Sequence, residues 1–252
     1  MEDELEVSQA LRTELKSTAR VVVLTGAGIS AESGVPTFRG EDGLWNKFKP
    51  EELATVDAFM SNPELVWEWY EFRRNIIERI KPNPAHYTLV EFQKYFEDFT
   101  LITQNVDGLH QRAGSTGVVE LHGNINANKC VDCGKRYDDL SQAKPGIPPK
   151  CLCGGNIRPD VVWFGEMLPS RATNKAFERS SNCDLFFSIG TSAIVHPAAS
   201  LPLMAKKNKA YVVEINTSPT GISDFIDELL LGKAGEILPR LGQMIEKKAN
   251  SR

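Results

Sequence analysis

The chain has 252 residues, of which 41% are hydrophobic and 25% are charged, an ordinary composition for a globular protein. Its 29 basic and 33 acidic residues give a formal net charge of −4 without a long block of like charge, which argues against nucleic-acid coating or a membrane-surface patch. No apolar run approaches the roughly 18 residues of a membrane span, and the acidic start lacks the order of a signal peptide. We therefore expect a cytoplasmic protein with no direct nucleic-acid or membrane partner.

Short apolar runs rich in β-branched residues alternate with helical stretches along the chain. This alternation predicts an α/β fold with a mostly parallel sheet and helices on both faces. We assign residues 1–38, 84–123 and 160–252 to this main domain. The predicted strands are 21–24, 99–103, 118–121, 185–189 and 211–215.

Two segments interrupt this pattern. Residues 39–83 are rich in aromatic side chains and predict a helical insertion, interrupted by Pro50 and Pro63. Residues 124–159 are poor in large apolar side chains, so this second insertion would scarcely bury a core unaided. Near the end of the chain, the apolar residues within 237–245 recur at helical spacing and predict an amphipathic closing helix.

The first predicted strand runs directly into residues 26–31 (Gly-Ala-Gly-Ile-Ser-Ala), which fit the Gly-x-Gly-x-x-Gly/Ala form of a dinucleotide-binding turn. In such a turn, the missing side chains let backbone amides approach a pyrophosphate. A plain strand-to-helix turn explains the same letters, and both interpretations stay open here. Gly34 and Pro36 stop the following helix early, and no second strand ending in an acidic residue follows, which disfavours a hydride-transferring enzyme.

Side chains suited to ligand binding follow three of the predicted strands. Because the carboxyl ends of parallel strands meet at one edge of a sheet, these side chains are expected to converge on one crevice. A histidine there has the titration range of a general base. Each candidate also has a purely structural interpretation: the phenylalanine as a core residue, the arginine as a solvated residue, the residues after the second strand as a polar loop with an Asx turn, and the histidine as a structural residue. The candidates are Phe38 and Arg39 past the first turn, Gln104, Asn105 and Asp107 after the second strand, and His122 after the third.

Four of the five cysteines form two close pairs, Cys130 with Cys133 and Cys151 with Cys153. Four thiolates at this spacing suit a tetrahedral Zn²⁺ ion, whose binding would supply the folding energy that the insertion lacks. Four protein ligands leave no open position, so we expect a structural metal. Unliganded or disulfide-forming thiols are the alternative, and the second pair is one residue shorter than usual. We expect Cys183 to be a small core residue.

In combination, these motifs resemble the sirtuin family, the NAD-dependent protein deacylases. The match follows the family's order from residue 25 to residue 236, nearly the whole chain. It implies a Rossmann-like NAD-binding domain with a small zinc module and a helical insertion. The matching stretches are 25–30 (TGAGIS), 36–40 (PTFRG), 103–110 (TQNVDGLH), 121–123 (LHG), the four paired cysteines, 161–166 (VVWFGE), 190–192 (GTS), 214–216 (EIN) and 232–236 (GKAGE).

The resemblance implies a role for each matched position. NAD is a consumed co-substrate, His122 is the catalytic base beside Asn105, and an acylated-lysine protein or peptide pairs as a strand with the chain. The implied substrate strand is Val162, Trp163, Phe164 and Gly165. The implied NAD-binding residues are Gly26, Ala27, Gly28, Phe38, Arg39, Gln104, Asn105, Asp107, Gly190, Thr191, Ser192, Asn216 and Ala234.

The family's reaction, as the resemblance implies it, begins when the acyl-lysine oxygen attacks the ribose carbon as nicotinamide leaves. His122 then deprotonates a ribose hydroxyl, and the products are free lysine, nicotinamide and acyl-ADP-ribose. An amide oxygen is a poor nucleophile, so the site must orient nicotinamide and exclude water. Mono-ADP-ribosyl transfer and a non-catalytic NAD or acyl-lysine reader remain alternatives, although a reader needs no base beside the ribose. We expect a monomer, because no apolar stripe is evident beyond those the core needs.

One local feature narrows the substrate. Tyr70 and Arg73 lie three residues apart on a predicted helix and so share a face, and the small Ala54 precedes them. A guanidinium and a phenol hydroxyl can bind a carboxylate at the end of an acyl chain. These positions match class III sirtuins, which resemble desuccinylases and demalonylases with retained deacetylase activity. A core tyrosine and a solvated arginine, in an enzyme that is mainly a deacetylase, are the alternative.

Overall fold

The computed structural model describes residues 5–37, 49–137 and 139–250, and its strands form two separate sheets. In chain order the strands of this described part are β1 (Arg20–Thr25), β2 (Asp98–Thr103), β3 (Val119–Glu120), β4 (Gly123–Cys130), β5 (Arg136–Tyr137), β6 (Ile157–Val161), β7 (Leu185–Ile189), β8 (Tyr211–Asn216) and β9 (Glu228–Leu231). The main sheet has six parallel strands in the order β3-β2-β1-β7-β8-β9. From β1 the chain adds strands towards one edge of the sheet, and from β7 it adds them towards the other edge. This change between β1 and β7 is the strand order of a Rossmann fold.

Helices cover both faces of the main sheet, so its central strands are apolar on both sides. Within β1, Val21 and Val23 face one cluster of helices, whereas Val22 and Leu24 face the other. The α/β prediction and the closing helix are confirmed. The helices of the described residues are α1 (Gln9–Glu14), α2 (Gly28–Ala31), α3 (Pro50–Leu53), α4 (Val56–Ser61), α5 (Pro63–Arg79), α6 (Pro84–Tyr95), α7 (Leu109–Ala113), α8 (Ser170–Ser181), α9 (Leu201–Lys207) and α10 (Ala234–Asn250).

The sixth strand, β9, was not predicted. Its sequence, Glu-Leu-Leu-Leu, lacks β-branched residues, and of its four side chains Leu230 alone is buried because β9 lies at the edge of the sheet. Of the helices in the described ranges, none combines the length and apolarity that a membrane crossing requires.

The second sheet is small and antiparallel, with the order β5-β4-β6. Gly123 at the start of β4 pairs with Val161 at the end of β6, so the sheet extends slightly past both expected ends of the second insertion. His122 directly precedes this sheet and Val162 directly follows it. The helices α3 to α5 pack against it through Phe59, Tyr70 and other side chains. The small sheet therefore adjoins two of the predicted site segments.

Candidate active site

One cavity of about 910 Å³ lies at the carboxyl edge of the main sheet. The turns after β1, β2, β7 and β8 line one part of it, and α5 and the segment after β6 line another. Most sequence-predicted site residues therefore converge on a single space. Those that line it are Gly26, Ala27, Gly28, Ala54, Tyr70, Arg73, Gln104, Asn105, His122, Val162, Trp163, Phe164, Gly165, Gly190, Thr191, Ser192 and Asn216.

Of the predicted catalytic, NAD-binding and substrate-binding residues, four are not among the described lining of this cavity. Asp107 is buried, with 4% of its surface exposed, and Ala234 is buried at the start of α10. Phe38 and Arg39 lie outside the described residues.

The glycines of the first turn bring two strands' ends into close contact. The amides of Gly26 and Gly28 donate to the carbonyls of Ile189 and Gly190 at 3.0 and 2.8 Å. A Cβ on Gly26 would lie 2.7 Å from the Gly190 oxygen, and a Cβ on Gly190 would lie 2.5 Å from the Ile29 nitrogen. The missing side chains are thus needed for contact between the turns. These two amides are already used within the protein, so they are not the pyrophosphate donors that the motif predicts.

Two amide side chains after β2 are held by neighbouring strand ends. Gln104 Nε2 donates to Thr191 Oγ1 at 2.9 Å. Asn105 Nδ2 donates to the Gly26 carbonyl at 3.0 Å and to Ser30 Oγ at 3.2 Å. Because these bonds fix both side chains against the β1 and β7 turns, their positions are set before any ligand binds.

His122 presents one ring nitrogen to the cavity. Its Nδ1 lies 2.9 Å from the Gln104 carbonyl oxygen, which only accepts, so Nδ1 carries the proton and Nε2 carries the lone pair. Burial lowers the pKa of His122 below its ordinary value, and the bond to Gln104 opposes this shift. The ring is therefore neutral near pH 7, the state that a general base requires.

A buried polar network lies behind Asn105. Ser30, His86 and His110 are each at most 1% exposed, and the two imidazole rings lie 4.9 Å apart. His110 Nε2 lies 2.9 Å from Thr25 Oγ1 on β1. Burial lowers the pKa of His86 to about 4 and that of His110 to about 3, so both rings are neutral.

Ser30 and His86 contribute to the site without a local sequence pattern that predicts it. His86 is the third residue of a helix that Asn83 caps, and the Asn-Pro pair before it is a helix-start signal. That signal places His86 on the first turn of α6, but only the tertiary fold shows that this turn packs behind the cavity.

Asp107 joins this network at its other end. Its Oδ1 accepts from the Leu109 amide at 2.9 Å. Burial raises the pKa of Asp107, whereas the bonds from Leu109 and Ser30 and the charge of Arg73 oppose the rise. The carboxylate thus supports the loop after β2 and lies in the electrostatic field of the α5 arginine.

Tyr70 and Arg73 share the inner face of α5, as their spacing predicts. Tyr70 is 3% exposed and Arg73 is 8% exposed. The Arg73 guanidinium carbon lies 4.8 Å from the centre of the Trp69 ring and 5.6 Å from that of the Tyr70 ring. Burial lowers the pKa of Arg73 and raises the pKa of Tyr70. Neither residue is a solvated surface residue, and both line the cavity beside the small Ala54.

The segment Val162 to Gly165 forms one wall of the cavity. The Val162 amide donates to the His122 carbonyl at 2.8 Å, and the Phe164 amide donates to the Ala54 carbonyl at 2.9 Å. The segment is thus joined both to the residue that carries the candidate base and to the helical insertion. All four of its residues line the cavity.

The four paired cysteines meet at one point of the small sheet. Their sulfur atoms all lie within 4.8 Å of one another, with 3.5 Å between Cys130 and Cys153 and 3.6 Å between Cys133 and Cys151. Sulfur atoms around a tetrahedral Zn²⁺ ion are about 3.8 Å apart for Zn–S bonds of about 2.3 Å. The cluster therefore fits a structural zinc. Cys183 is buried away from this cluster among apolar side chains, and burial raises its pKa to about 11.

Comparisons with known proteins agree with this geometry. A Sir2 family profile matches residues 26–197. The NAD-dependent protein deacylase of Aquifex aeolicus is 53% identical over 233 residues, which cover 92% of this chain and 98% of that protein. A Sir2 homologue variant in complex with ADP-ribose superposes with a TM-score of 0.91 at 42% identity, covering 98% of this chain and 99% of that one. A Sir2 protein bound to a myristoylated histone peptide superposes with a TM-score of 0.74 at 36% identity, covering 96% of this chain and 97% of that one.

Proposed function

The chain belongs to the Sir2 family and is an NAD-dependent protein deacylase, and we propose that it prefers lysines that carry an acidic acyl group, succinyl, malonyl or glutaryl. Its products are then deacylated lysine, nicotinamide and the acyl ester of ADP-ribose. Deacetylation remains a weaker activity of the same site. Because the four thiols bind a metal only while reduced, we propose the cytoplasm as its compartment.

The observation that carries this proposal is that Arg73 and Tyr70 line the same cavity as His122. Burial deprives the Arg73 guanidinium of water, and this is the main cause of its lowered pKa. A carboxylate at the end of an acyl chain would bring an opposite charge and charge-assisted hydrogen bonds. The small side chain of Ala54 leaves room for that chain, whereas an acetyl group ends in a methyl and has no carboxylate to offer.

We propose that His122 accepts, at Nε2, a proton from a ribose hydroxyl of NAD. Its Nδ1 bond to Gln104 keeps the ring oriented through that transfer. Asn105 and Gln104, held by the β1 and β7 turns, are proposed to position the ribose and nicotinamide end. Phe38 and Arg39 are proposed to line that end, and Thr191, Ser192 and Asn216 are proposed to hold the phosphates and adenosine.

Nicotinamide release from NAD tests the acyl preference directly. Peptides of one sequence carrying acetyl-, succinyl- or myristoyl-lysine are compared by kcat/KM. We expect the succinyl peptide to be turned over fastest. A faster acetyl peptide would make Tyr70 and Arg73 core residues of a deacetylase, and a faster myristoyl peptide would assign the cavity to long apolar chains.

Two neighbouring arginines provide a matched pair of variants. Arg73→Met is expected to lower the succinyl-to-acetyl ratio of kcat/KM by about 10- to 100-fold, the effect of losing hydrogen bonds to a charged group. Arg74 lies beside it on α5 but donates to the Ile125 carbonyl at 2.6 Å and to Asn128 at 2.7 Å, on the small sheet. Arg74→Met therefore tests the loss of a charge outside the pocket, and the ratio is expected to stay unchanged. Equal ratios in all three proteins would contradict the proposal.

Mono-ADP-ribosyl transfer is the remaining alternative, because it uses the same departure of nicotinamide with a different nucleophile. His122→Tyr separates the two reactions. Deacylation is expected to disappear, since the base is lost. Transfer of ADP-ribose to protein that persists in this variant would favour the alternative.

A further inference from the structure

In the cavity, the Tyr70 hydroxyl is hydrogen-bonded to the side chain of Trp163. The indole Nε1 of Trp163 lies 2.9 Å from the Tyr70 hydroxyl oxygen, and both side chains are almost fully buried. An indole nitrogen carries a hydrogen and has no lone pair to accept with, so the direction of this bond is fixed by chemistry. Trp163 donates and the Tyr70 oxygen accepts.

The bond from Trp163 leaves the Tyr70 hydroxyl able to donate one hydrogen bond of its own. A phenol has a single hydrogen to donate, and the bond from Trp163 does not use it. Burial raises the pKa of Tyr70, so the hydroxyl keeps that hydrogen. Among the residues that the structure describes, the hydroxyl makes this bond to Trp163 and no other. Its own hydrogen is available to an acceptor inside the cavity.

We propose that Trp163 is a positioning residue that commits the Tyr70 hydroxyl to donate toward the terminal carboxylate of an acidic acyl group. This inference rests on the proposed function and assigns Trp163 a role beyond that of its backbone in the substrate strand. A carboxylate accepts hydrogen bonds and offers none, so it complements this donor. An apolar acyl end would leave the donor buried and unpaired, which disfavours its binding.

The indole is held firmly enough to act in this way. The Arg158 guanidinium stacks on the Trp163 ring, with its central carbon 3.2 Å from the ring centre. Two nitrogens of Arg158 donate to the two oxygens of Glu166, at 2.6 and 2.8 Å. Glu166 also accepts from the Trp163 backbone amide at 2.8 Å. Phe59 packs on the indole, with ring centres 5.2 Å apart. The direction of the indole N–H is therefore set before substrate binds.

Two acyl peptides of similar size and different charge isolate the effect. Succinyl-lysine is compared with 4-methylpentanoyl-lysine, in which an isopropyl group replaces the carboxylate. In Trp163→Phe, which keeps an aromatic ring without the N–H, we expect the succinyl-to-methylpentanoyl ratio of kcat/KM to fall about tenfold, a typical effect of one hydrogen bond to a charged group. We expect this loss to arise from a higher KM for the succinyl peptide, with kcat little changed. Trp67→Phe, at a buried tryptophan of α5 that packs among the side chains around the thiols and is not part of the described cavity lining, is the control and is expected to keep the ratio.

The Tyr70→Phe variant completes the test. It should lower the ratio at least as much as Trp163→Phe, and the double variant should lower it no further than Tyr70→Phe alone. If Trp163→Phe does not fold, the effect of Tyr70→Phe on the ratio decides: a tenfold fall supports the inference and an unchanged ratio overturns it. Equal losses for both peptides in Trp163→Phe, or additive effects of the two substitutions, would also overturn it. A wild-type enzyme without preference for succinyl would instead reject the proposed function, and the inference with it.

Discussion

The two sheets of this protein have different sources of stability. All five side chains of β7 are buried, and five of the six in β1 are buried as well. In the small sheet, β4 has the sequence Gly-Asn-Ile-Asn-Ala-Asn-Lys-Cys, and three of its eight side chains are buried. The apolar cluster around the thiols has few members, and two of them are cysteines. The main sheet can fold by burying apolar surface, whereas we expect the small sheet to depend on a metal held by the four thiols.

The two regions meet at the candidate active site. His122 lies between β3 of the main sheet and β4 of the small sheet, and its carbonyl accepts from Val162 just after β6. The metal-dependent region therefore holds the candidate base beside the candidate substrate strand, although the thiols themselves do not line the cavity. A remote structural ion is thus expected to control activity through backbone pairing.

Removal of zinc is expected to have the largest effect. Structural zinc binding is worth about 10 kcal/mol or more, so chelation, or Cys151→Ser, should unfold the small sheet and abolish deacylation. Hydrogen exchange measured strand by strand should show loss of protection in β4 and β6 and retention in β1 and β7. Cys183→Ser changes the cysteine outside the cluster and should leave the zinc content unchanged. A zinc-free enzyme that stays folded and fully active would contradict the comparison.

The same contrast explains what the sequence could predict. The β-branched runs and the glycine turn predict most of the main sheet, because burial on both faces leaves a strong local signal. The second insertion was predicted as a metal module with no strand assigned to it, since its polar residues carry no such signal. At the site, spacing alone brought Tyr70 and Arg73 to one face. The contacts of Ser30, His86 and Trp163 join residues more than 50 positions apart, so local patterns could not show them.

Replacement of His122 should affect the chemistry and leave both regions folded. His122→Ala is expected to lower kcat/KM for deacylation by about 10²- to 10⁴-fold, the usual contribution of a general base. In the wild type, burial lowers the pKa of His122, so the base stays neutral to a lower pH. The acid limb of the kcat/KM profile should therefore have its midpoint below 6.5, the ordinary value. A midpoint above 6.5, or unchanged turnover in His122→Ala, would exclude this residue as the base.

Because the turns after β1 and β7 are in close contact, substitution of Gly190 should destabilise the protein more than substitution of a glycine with open space around it. Gly190 has a φ of +58°, and a Cβ there would also meet backbone. Gly117 has a similar φ of +64° with nothing within 4 Å of its Cβ position. We expect Gly190→Ala to lower the free energy of unfolding by about 3 kcal/mol and Gly117→Ala by about 1 kcal/mol, because only the first adds a clash to the backbone strain. Urea unfolding of both variants measures the difference, and equal losses would mean that the turns can separate.

Acid should weaken the main sheet through its buried histidines. Burial lowers the pKa of His86 to about 4, whereas the ordinary value in the unfolded chain is 6.5. Between these values the unfolded state binds more protons, so stability falls as pH falls, by about 2 kcal/mol from pH 6.5 to pH 5 for this group. His86→Asn should flatten the pH dependence of urea unfolding in excess zinc, whereas His196→Asn, at an exposed histidine, should not. An identical slope in all three proteins would show that His86 titrates normally.

The smallest expected effect concerns ion pairs that lie on only one of the two regions. Asp160 on β6 pairs with Lys129 on β4 at 2.9 Å and with Arg136 on β5 at 3.1 Å, so it connects all three strands of the small sheet. Water screens the mostly exposed Arg136, and Asp160→Asn is therefore expected to cost about 1 kcal/mol or less.

Two variants, one in each sheet, test whether the two sheets are stabilised independently of each other. Asp160→Asn should release zinc to a chelator a few times faster, less so at high salt, without changing the exchange of β1 and β7 amides. Asp184→Asn breaks the pair with Arg20 at the start of β1 and should weaken the main sheet without changing zinc release. If either variant loosened both sheets equally, the two regions would unfold as one unit. The metal would then stabilise the whole molecule, and His122 would lose its position only when the main sheet itself unfolds.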